Sequence, residues 1–468
     1  MNYKILLIIL FFIGLSSCSY TKVPSRPNIV VLLVDDAGYA DFGFMGSKDL
    51  ETPNLDRLAS DGMIFTDAHV SASVCAPSRA GLLTGRYQQR FGFECNALSH
   101  FKGIDTSEVT IAEVLKTVGY KTAAFGKWHV GDLPCSRPNN RGFDYSYTFL
   151  SGARSYFPNE KEDKEGHLRS IRENGVFSTF DGYLTDVLGE KAVDFIDNNK
   201  SDPFFIYWSP NAVHTPMEAT QEDLQRYNGH PRQELAAMTW ALDRAVGKII
   251  DKLKSENLLN NTLIFFLSDN GGAVVNQSSN LPLKGYKGNK FEGGHRVAFF
   301  AHWPKQIKAN GVFDGLTSSM DIFSTVVDIS GAHLPKSIQL DGITLKPFLT
   351  GAKTGNPHNQ LFWRKEGMAA MRENDFKMIR VDSLGYRLYN LDNDIGEKDD
   401  LCEKENNRLV SLQQEMQQWE KGLIEPLWLE SDEWNEVTWW VHRDLYFNHE
   451  VQVKSPGELE ILRLKSDE

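Results

Sequence analysis

The sequence predicts an α/β protein with a large, mostly parallel β-sheet flanked by helices, followed by a smaller C-terminal α+β subdomain with an antiparallel sheet. Along most of the chain, apolar runs alternate with segments whose apolar residues recur at helical spacing, the pattern of a parallel α/β sheet. Beyond a polar stretch at residues 350–357, apolar and polar residues alternate, which is typical of an antiparallel sheet with one solvated face. With 468 residues, 41% of them hydrophobic, the chain is long enough for one large domain with a smaller one attached.

The larger domain is predicted to span residues 28–352, and its first strand, residues 28–34, sets the pattern. After Asn28 this run is entirely apolar, which suits a central strand covered on both faces. Further strands are predicted at residues 63–65, 121–126, 203–208 and 262–267, and helices at residues 52–59, from Pro77 onwards, at 110–118 and at 235–253. Residues 139–158, which are rich in Gly, Tyr and Phe, are predicted to form a loop.

The smaller subdomain is predicted to span residues 353–468. Alternating runs predict strands at residues 368–372, 376–380 and 386–391, and residues 406–423 are predicted to form a helix. The tail from Trp434 is aromatic and then charged, and its sequence predicts no role.

Residues 1–17 are predicted to be a secretion signal, because the apolar run at residues 5–15 is too short for a typical membrane span. The run ends in Leu15-Ser16-Ser17-Cys18, which resembles a bacterial lipobox and predicts cleavage before Cys18 and lipidation of that cysteine. Residues 18–27 would then be a tether. The protein would be exported and held only through its lipid at the outer membrane or in the periplasm. The alternative is a plain secretory leader in which Cys18 is incidental.

Polar side chains follow two of the predicted strands where each strand ends. Asp35 and Asp36 follow the first strand, and Asp269 and Asn270 follow the strand at residues 262–267. Ligands of open α/β sheets bind beyond the carboxyl ends of the strands. Because a ligand set made only of oxygens favours Ca²⁺ or Mg²⁺ over zinc, these residues predict a site for one such cation. Taken alone, each pair is also common in turns.

The run Cys75-Ala76-Pro77-Ser78-Arg79, followed by Leu83-Thr84-Gly85-Arg86, carries the strongest functional signal. Pro77 suits the first position of a helix, and such a helix would direct its free N–H groups at an anion near Cys75. Arg79 adds a guanidinium group close by. A lone cysteine in this place would be an ordinary buried residue, but the whole run resembles the modification signature of the type I, formylglycine-dependent sulfatases.

This resemblance extends over roughly residues 27–401 and implies the alkaline-phosphatase-like fold and the hydrolysis of sulfuric esters. In that family a maturation enzyme oxidises the cysteine, here Cys75, to Cα-formylglycine (3-oxoalanine), and the hydrated aldehyde is the nucleophile. The resemblance also implies Ca²⁺ in preference to Mg²⁺. Its ligands would be the side chains of Asp35, Asp36, Asp269 and Asn270 together with the modified residue 75.

Two more runs contain candidate catalytic residues. Lys127 and His129 are two residues apart, so an extended chain would point both side chains to the same side. Residues 283–297 contain Lys287 and resemble the family's Gly-x-Lys-Gly…Glu-Gly-Gly-x-Arg signature, in which Glu292 and Arg296 are expected to support the loop. His214 stands alone in the sequence. A single lysine or histidine is more often a surface or core group, and only the motif positions favour a catalytic role.

The expected roles follow from the chemistry of a sulfate ester. Attack on sulfur builds negative charge that Arg79, Lys127, Lys287 and the cation would neutralise. A protonated His214, assisted by Lys287, would donate a proton to the leaving alcohol. A serine nucleophile would end as a sulfate ester as inert as the substrate. A geminal diol has a second hydroxyl group, and its deprotonation by His129 would expel sulfate.

The overall composition limits the partners and the cross-links. A formal net charge of −12 argues against a nucleic-acid-binding surface and requires a local cluster of cations for any anionic substrate. If Cys18 is lipidated and Cys75 is oxidised, Cys95, Cys135 and Cys402 remain of the five cysteines, and they allow at most one disulfide.

We therefore expect a lipid-anchored bacterial sulfatase that acts on sulfated oligosaccharides or polysaccharides. The substrates would be algal fragments, such as those of carrageenan, ulvan or fucan, or animal glycosaminoglycans. Residues 145–157, with Arg154, are either a sugar-binding wall or ordinary packing. One alternative is a phosphonate or phosphate ester hydrolase of the same superfamily. Another is an inactive, glycan-binding surface lipoprotein, which would require that a catalytic residue had been lost.

Overall fold

A computed structural model describes residues 26–96 and 103–452, and its main feature is a ten-stranded sheet. In spatial order its strands are Gly311–Phe313, Met63–Phe65, Phe299–His302, Thr262–Ser268, Asn28–Val34, Phe204–Ser209, Lys121–Lys127, Tyr145–Phe149, Arg172–Glu173 and Val176–Phe177. All the strands predicted for the larger domain lie in this sheet. The predicted signal peptide, Cys18 and most of the tether lie outside the described residues.

Five adjacent parallel strands, from Thr262–Ser268 to Tyr145–Phe149, form the centre of the sheet. Every residue of Asn28–Val34 and of Thr262–Ser268 is buried. Helices cover both faces, which explains why these strands are apolar throughout instead of alternating. Val34 pairs with Ser268 in register, so the two strands end at the same edge of the sheet.

The two faces of the sheet pack against different helices. Val30 and Leu32 belong to a cluster with helices Leu184–Asn199 and Gln233–Ser255. Ile29 and Val31 point the other way. The helices on their side are Cys75–Thr84, Ile111–Lys116 and Asp321–Ser330. The sheet is therefore the middle layer of three.

Shorter elements complete the larger domain. The remaining α-helices there are Pro53–Ser60, Gln221–Arg226, Glu292–His295 and Lys346–Leu349, and Ala68–His69 pairs with Thr317–Ser318 in a separate two-stranded sheet. Single 3₁₀ turns occupy Gly43–Met45, Gln88–Phe91, Pro134–Ser136, Pro138–Asn140 and Leu259–Asn261. Thr110 and Glu113 form a capping box at the start of the Ile111 helix, the position where the sequence predicts a helix start.

The C-terminal part contains a four-stranded antiparallel sheet with strands in sequential order: Gln360–Lys365, Met368–Glu373, Phe376–Val381 and Gly385–Asn390. Two helices, Asn406–Glu420 and Asp432–Tyr446, accompany it. Lys377 of this sheet is fully buried and pairs with Glu292 of the larger domain at 2.9 Å, while Glu292 also lies 3.4 Å from Arg296. Glu292 thus supports the contact between the two sheets, and Arg296 supports Glu292.

The structure corrects two predictions of secondary structure. Residues 139–158 are not a loop throughout, because Tyr145–Phe149 adds a parallel strand beside Lys121–Lys127. Its aromatic residues alternate with Ser and Thr, and the apolar-run criterion used for the other strands misses that pattern. The helix expected from Pro77 begins at Cys75, so the cysteine itself occupies the first turn. The boundary at residues 352 and 353 stays a prediction.

Residues 26–96 and 103–452 contain no candidate membrane-spanning helix and no disulfide bond. No helix in this part of the chain is long and apolar enough to cross a bilayer. Cys75, Cys95, Cys135 and Cys402 are all free thiols.

Candidate active site

The four predicted cation ligands meet at one edge of the sheet. Asp35 and Asp36 follow the Asn28–Val34 strand, and Asp269 and Asn270 follow the paired Thr262–Ser268 strand. The backbone N–H of Asp36 donates to Asp269 Oδ1 at 3.3 Å, and Asn270 Nδ2 donates to Asp36 Oδ1 at 2.8 Å. The structure thus brings together the four side chains that the sequence placed at strand ends.

Cys75 lies beside these acids at the start of its helix. Its side chain is buried, and Sγ is 3.9 Å from Asp36 Oδ1. Burial raises the pKa of the Cys75 thiol to about 12, although Lys127 and Lys287 oppose this. The N-terminus of the helix Cys75–Thr84 lies at the same place, and the backbone N–H of Ala76 there donates to Asn96 Oδ1 at 3.1 Å.

Arg79 and Lys127 are each held by a carboxylate of the site. Arg79 is fully buried, and its guanidinium contacts Asp269 Oδ2 at 2.7 Å and donates to the backbone carbonyl of Lys127 at 2.9 Å. Lys127 Nζ donates to both oxygens of Asp35, at 2.9 and 2.7 Å. The arginine is therefore fixed by its protein partners, while the lysine ammonium neutralises a carboxylate of the site.

Lys287 and His214 approach Asp36 from the cavity side. Lys287 Nζ lies 2.8 Å from the carboxylate, and His214 Nε2 lies 3.5 Å from it. Burial lowers the pKa of Lys287, but Asp36 more than offsets it and leaves that pKa well above its usual value. Burial, together with the two lysines, lowers the pKa of His214 to about 3. Asp36 opposes this shift, and an anionic substrate beside His214 would further favour the protonated form that the sequence predicts.

His129 lines the same cavity in a left-handed backbone conformation, with φ at 57°. Its Nδ1 is buried and has no hydrogen-bond partner among the described residues. Burial and then the nearby Lys127 and Arg79 lower its pKa well below the usual value. The imidazole is consequently neutral, the form that is able to accept a proton.

The donor set fits a hard divalent cation. Asp35, Asp36, Cys75 and His214 bring ligand atoms to within 4.8 Å of one another. Asn270 Oδ1 is buried without a hydrogen-bond partner in the described part of the chain, which costs free energy unless another group binds it. Burial raises the pKa of Asp35 to about 7, and Lys127 offsets that only in part. A cation bound by these oxygens would remove both penalties.

Some of the site residues form the floor of a cavity of about 450 Å³. Asp36, Cys75, His129, His214 and Lys287 line the floor, and the C-terminal tail supplies part of the wall. A volume in this range is typical of pockets that hold a small molecule or one end of a larger one. The sequence predicts the floor of the cavity but not its upper wall.

Sequence reasoning missed several supports of the site. Ser278 Oγ and Asn276 Nδ2 both donate to the backbone carbonyl of Asp36 at 3.1 Å. Lys290 Nζ donates to Ser73 Oγ at 3.0 Å, and Lys290 belongs to the same run as Lys287. That run was the signal by which Lys290 could have been found. Ser278 and Asn276 match no sequence pattern.

The aromatic segment at residues 145–157 is mostly packing. Arg154 is fully buried and pairs with Asp163 at 3.0 Å, and Tyr156 is also fully buried. Only the small residues 151–153 of this segment line the cavity. Of the two interpretations left open for Arg154, the structure supports packing, and the sugar-binding role for Arg154 is wrong.

Two family models match the chain. The model described as "Sulfatase" matches residues 27–332, and that described as "N-sulphoglucosamine sulphohydrolase, C-terminal" matches residues 287–422. Together they cover both the large sheet and the antiparallel sheet.

Known proteins resemble the chain over most of its length. It is 35% identical over 370 residues to N-acetylgalactosamine-6-sulfatase of Mus musculus, covering 73% of this chain and 69% of that protein. It is 30% identical over 397 residues to the uncharacterized sulfatase YdeN of Escherichia coli (strain K12), covering 72% and 68%. A crystal structure of Ps i-CgsB in complex with k-i-k-neocarrahexaose superposes with a TM-score of 0.82 at 36% identity, covering 91% of this chain and 99% of that one. The chain belongs to the sulfatase family, with its alkaline-phosphatase-like fold, and is a sulfuric ester hydrolase.

Proposed function

We propose that this sulfatase removes sulfate from sulfated carbohydrates, such as fragments of carrageenan, ulvan or fucan or of glycosaminoglycans. The observation that carries the proposal is a cavity floor that contains Cys75 and the cation of Lys287, with the charges of the buried Lys127 and Arg79 also acting on Cys75. Such a floor suits an anionic sulfate group, and the space above it suits a bulkier alcohol. The relative that holds a neocarrahexaose supports a carbohydrate as that alcohol.

The nucleophile in this proposal is made from Cys75. A maturation enzyme would oxidise the side chain to formylglycine, and the hydrated aldehyde supplies one hydroxyl to attack sulfur and a second whose deprotonation lets sulfate leave. A plain hydroxyl or thiol would remain blocked by the group it had accepted. The place of Cys75 in the first turn of a helix supports this role, because the positive end of the helix dipole favours an anion there.

The other residues act on charge and on protons. Arg79, Lys127 and Lys287 neutralise the negative charge that develops on the sulfate oxygens. His214 gives a proton to the leaving oxygen, since Nδ1 is 2.7 Å from the backbone carbonyl of Thr215 and Nε2 is left to face the site. His129 takes a proton through an imidazole that its surroundings keep neutral.

One Ca²⁺ is proposed as the cation, held by Asp35, Asp36, Asp269, Asn270 and the modified residue 75. When bound, it supplies positive charge close to the sulfate oxygens. Ca²⁺ accepts a flexible shell made of protein oxygens, whereas Mg²⁺ usually keeps several of its waters. A buried site with carboxylate and amide oxygens therefore favours Ca²⁺ over Mg²⁺.

We expect sulfate release from at least one member of a panel of defined oligosaccharides from carrageenan, ulvan, fucan and glycosaminoglycans. The panel also contains 4-nitrophenyl sulfate, 4-nitrophenyl phosphate and a phosphodiester, and the measurement is kcat/KM for each. Higher kcat/KM for the phosphorus esters than for every sulfate ester would contradict the proposal and favour the phosphonate or phosphate ester hydrolase.

We further propose an exported protein with its lipid on Cys18, anchored at the outer membrane or facing the periplasm. The support is sequence alone, namely the apolar leader that ends in Leu15-Ser16-Ser17-Cys18. We expect the mature protein to begin at Cys18 and to carry acyl chains, as measured by mass spectrometry of the N-terminal peptide. An unmodified Cys18, or cleavage elsewhere, would favour the plain secretory leader.

A further inference from the structure

The helix Asp432–Tyr446 forms one wall of the cavity above Cys75. Trp434, Val437, Thr438 and Val441 line the cavity from this helix, and their spacing puts them on one helical face. The helix lies beyond residue 422, where the matched family models end. This wall is therefore a feature that the family signatures do not account for.

The wall is firmly attached to the catalytic floor. Just before the helix, Glu430 pairs with Lys365 of the antiparallel sheet at 3.2 Å, and both side chains are largely buried. Within the helix, His442 is fully buried, and its Nε2 accepts the backbone N–H of Lys290 at 3.0 Å. Since Lys290 belongs to the same loop as Lys287, the helix has a fixed position relative to the site of sulfate binding.

Trp434 is the large aromatic residue at the exposed end of this wall. Its side chain lines the cavity yet keeps 46% of its surface accessible, whereas Val437 and Val441 deeper along the same face are buried. A rigid ring held half exposed at a cavity rim gives a broad apolar surface with a polar N–H edge. That surface suits the face of a pyranose ring, where axial C–H groups pack on the indole and hydroxyl groups stay in water.

Positive charge lies on the same cavity, outside the catalytic floor. Arg169 lines the cavity with 47% of its side chain accessible and pairs with Glu162 at 2.8 Å. An accessible guanidinium on the same cavity as an exposed indole matches the chemistry of an acidic glycan, which has apolar ring faces and anionic substituents.

We propose that Trp434 forms a subsite for the sugar next to the one that carries the scissile sulfate, so that the enzyme recognises at least a disaccharide. This inference rests on the proposed function, because it assumes a glycan as substrate. The second ring stacks on the Trp434 indole, while the sulfated sugar lies over Cys75.

The subsite predicts that Trp434→Ala lowers kcat/KM for an oligosaccharide more than for a small aryl sulfate. We measure kcat/KM for the panel oligosaccharide that the wild type hydrolyses best and divide it by kcat/KM for 4-nitrophenyl sulfate. In Trp434→Ala this ratio should fall at least about tenfold, as when a Trp hot spot is truncated. The matched control is Trp440→Ala, which removes the same side chain from the same helix at a position that does not line the cavity. The ratio for this control should stay at the wild-type value, and an unchanged ratio in Trp434→Ala would overturn the subsite.

A binding measurement separates this inference from the proposed function. Isothermal titration of each panel oligosaccharide into Cys75→Ala, with and without Trp434→Ala, reports affinity in the absence of turnover. If the wild type releases no glycan sulfate but loss of Trp434 weakens oligosaccharide binding, the subsite stands and the proposed function is overturned. If the wild type releases glycan sulfate but the two Cys75→Ala proteins bind the oligosaccharides equally, only the subsite is overturned. If there is no binding and no turnover, both the subsite and the proposed function are overturned. If Trp434→Ala melts below the wild type, Trp434→Leu replaces it, because Leu keeps the apolar contact with the helix face and removes the ring.

Discussion

Cys75→Ser is expected to lower sulfate release by about 10⁴-fold or more while leaving the fold intact. The substitution is nearly isosteric in a buried position, so the packing of the helix Cys75–Thr84 changes little. Activity is lost because a serine hydroxyl that accepts the sulfuryl group has no second hydroxyl with which to expel it. Substrate binding should persist, because Arg79 and the lysines remain.

The measurement combines kinetics with mass spectrometry of the peptide that contains residue 75. Active wild-type protein should show an aldehyde or its hydrate at this position, and the variant should show an unmodified serine. Cys95→Ser is the matched control, since Cys95 is equally buried but contacts Glu366, and its activity should be close to that of the wild type. An unaltered Cys75 thiol in fully active enzyme, or wild-type turnover by an unmodified serine, would contradict the mechanism.

The catalytic floor is predictable from the sequence because short-range patterns determine it. Parallel strands that are buried on both faces are continuous apolar runs, and the pairing of Val34 with Ser268 aligns the polar residues that follow. Asp35 and Asp269 are therefore neighbours because their strands are neighbours. Cys75, Lys127 and Lys287 were identified by local motifs, and the structure brings all three to that edge.

The upper part of the site could not be predicted, because long-range packing determines it. Trp434 and Thr438 line the cavity only because the buried pair Lys365–Glu430 and the contact from His442 hold their helix there. No local pattern encodes such contacts between distant segments. The Tyr145–Phe149 strand was missed for a related reason, since its place in the sheet depends on pairing with Lys121–Lys127 rather than on its own apolarity.

Asp269→Ala is expected to remove the bound cation and to abolish activity together. The carboxylate is fully buried, and it is one of the proposed ligands as well as the partner of Arg79 at 2.7 Å. Without it, Arg79 keeps a buried charge lacking its main partner, so the free energy of unfolding should fall by about 3–5 kcal/mol. Elemental analysis of the purified protein gives the calcium content, and denaturant unfolding gives the stability.

The stability loss makes a control necessary, because a partly unfolded protein would lose the cation for an unrelated reason. Asp243 is also a buried carboxylate, and it accepts the backbone N–H groups of Asn54 and Leu55, none of which lines the cavity. Asp243→Ala should therefore lower the free energy of unfolding while the folded fraction keeps its calcium. Calcium lost equally from both variants would mean that metal content reports only folding. Calcium retained at the wild-type ratio in Asp269→Ala would exclude Asp269 as a ligand and leave ion pairing with Arg79 as its role.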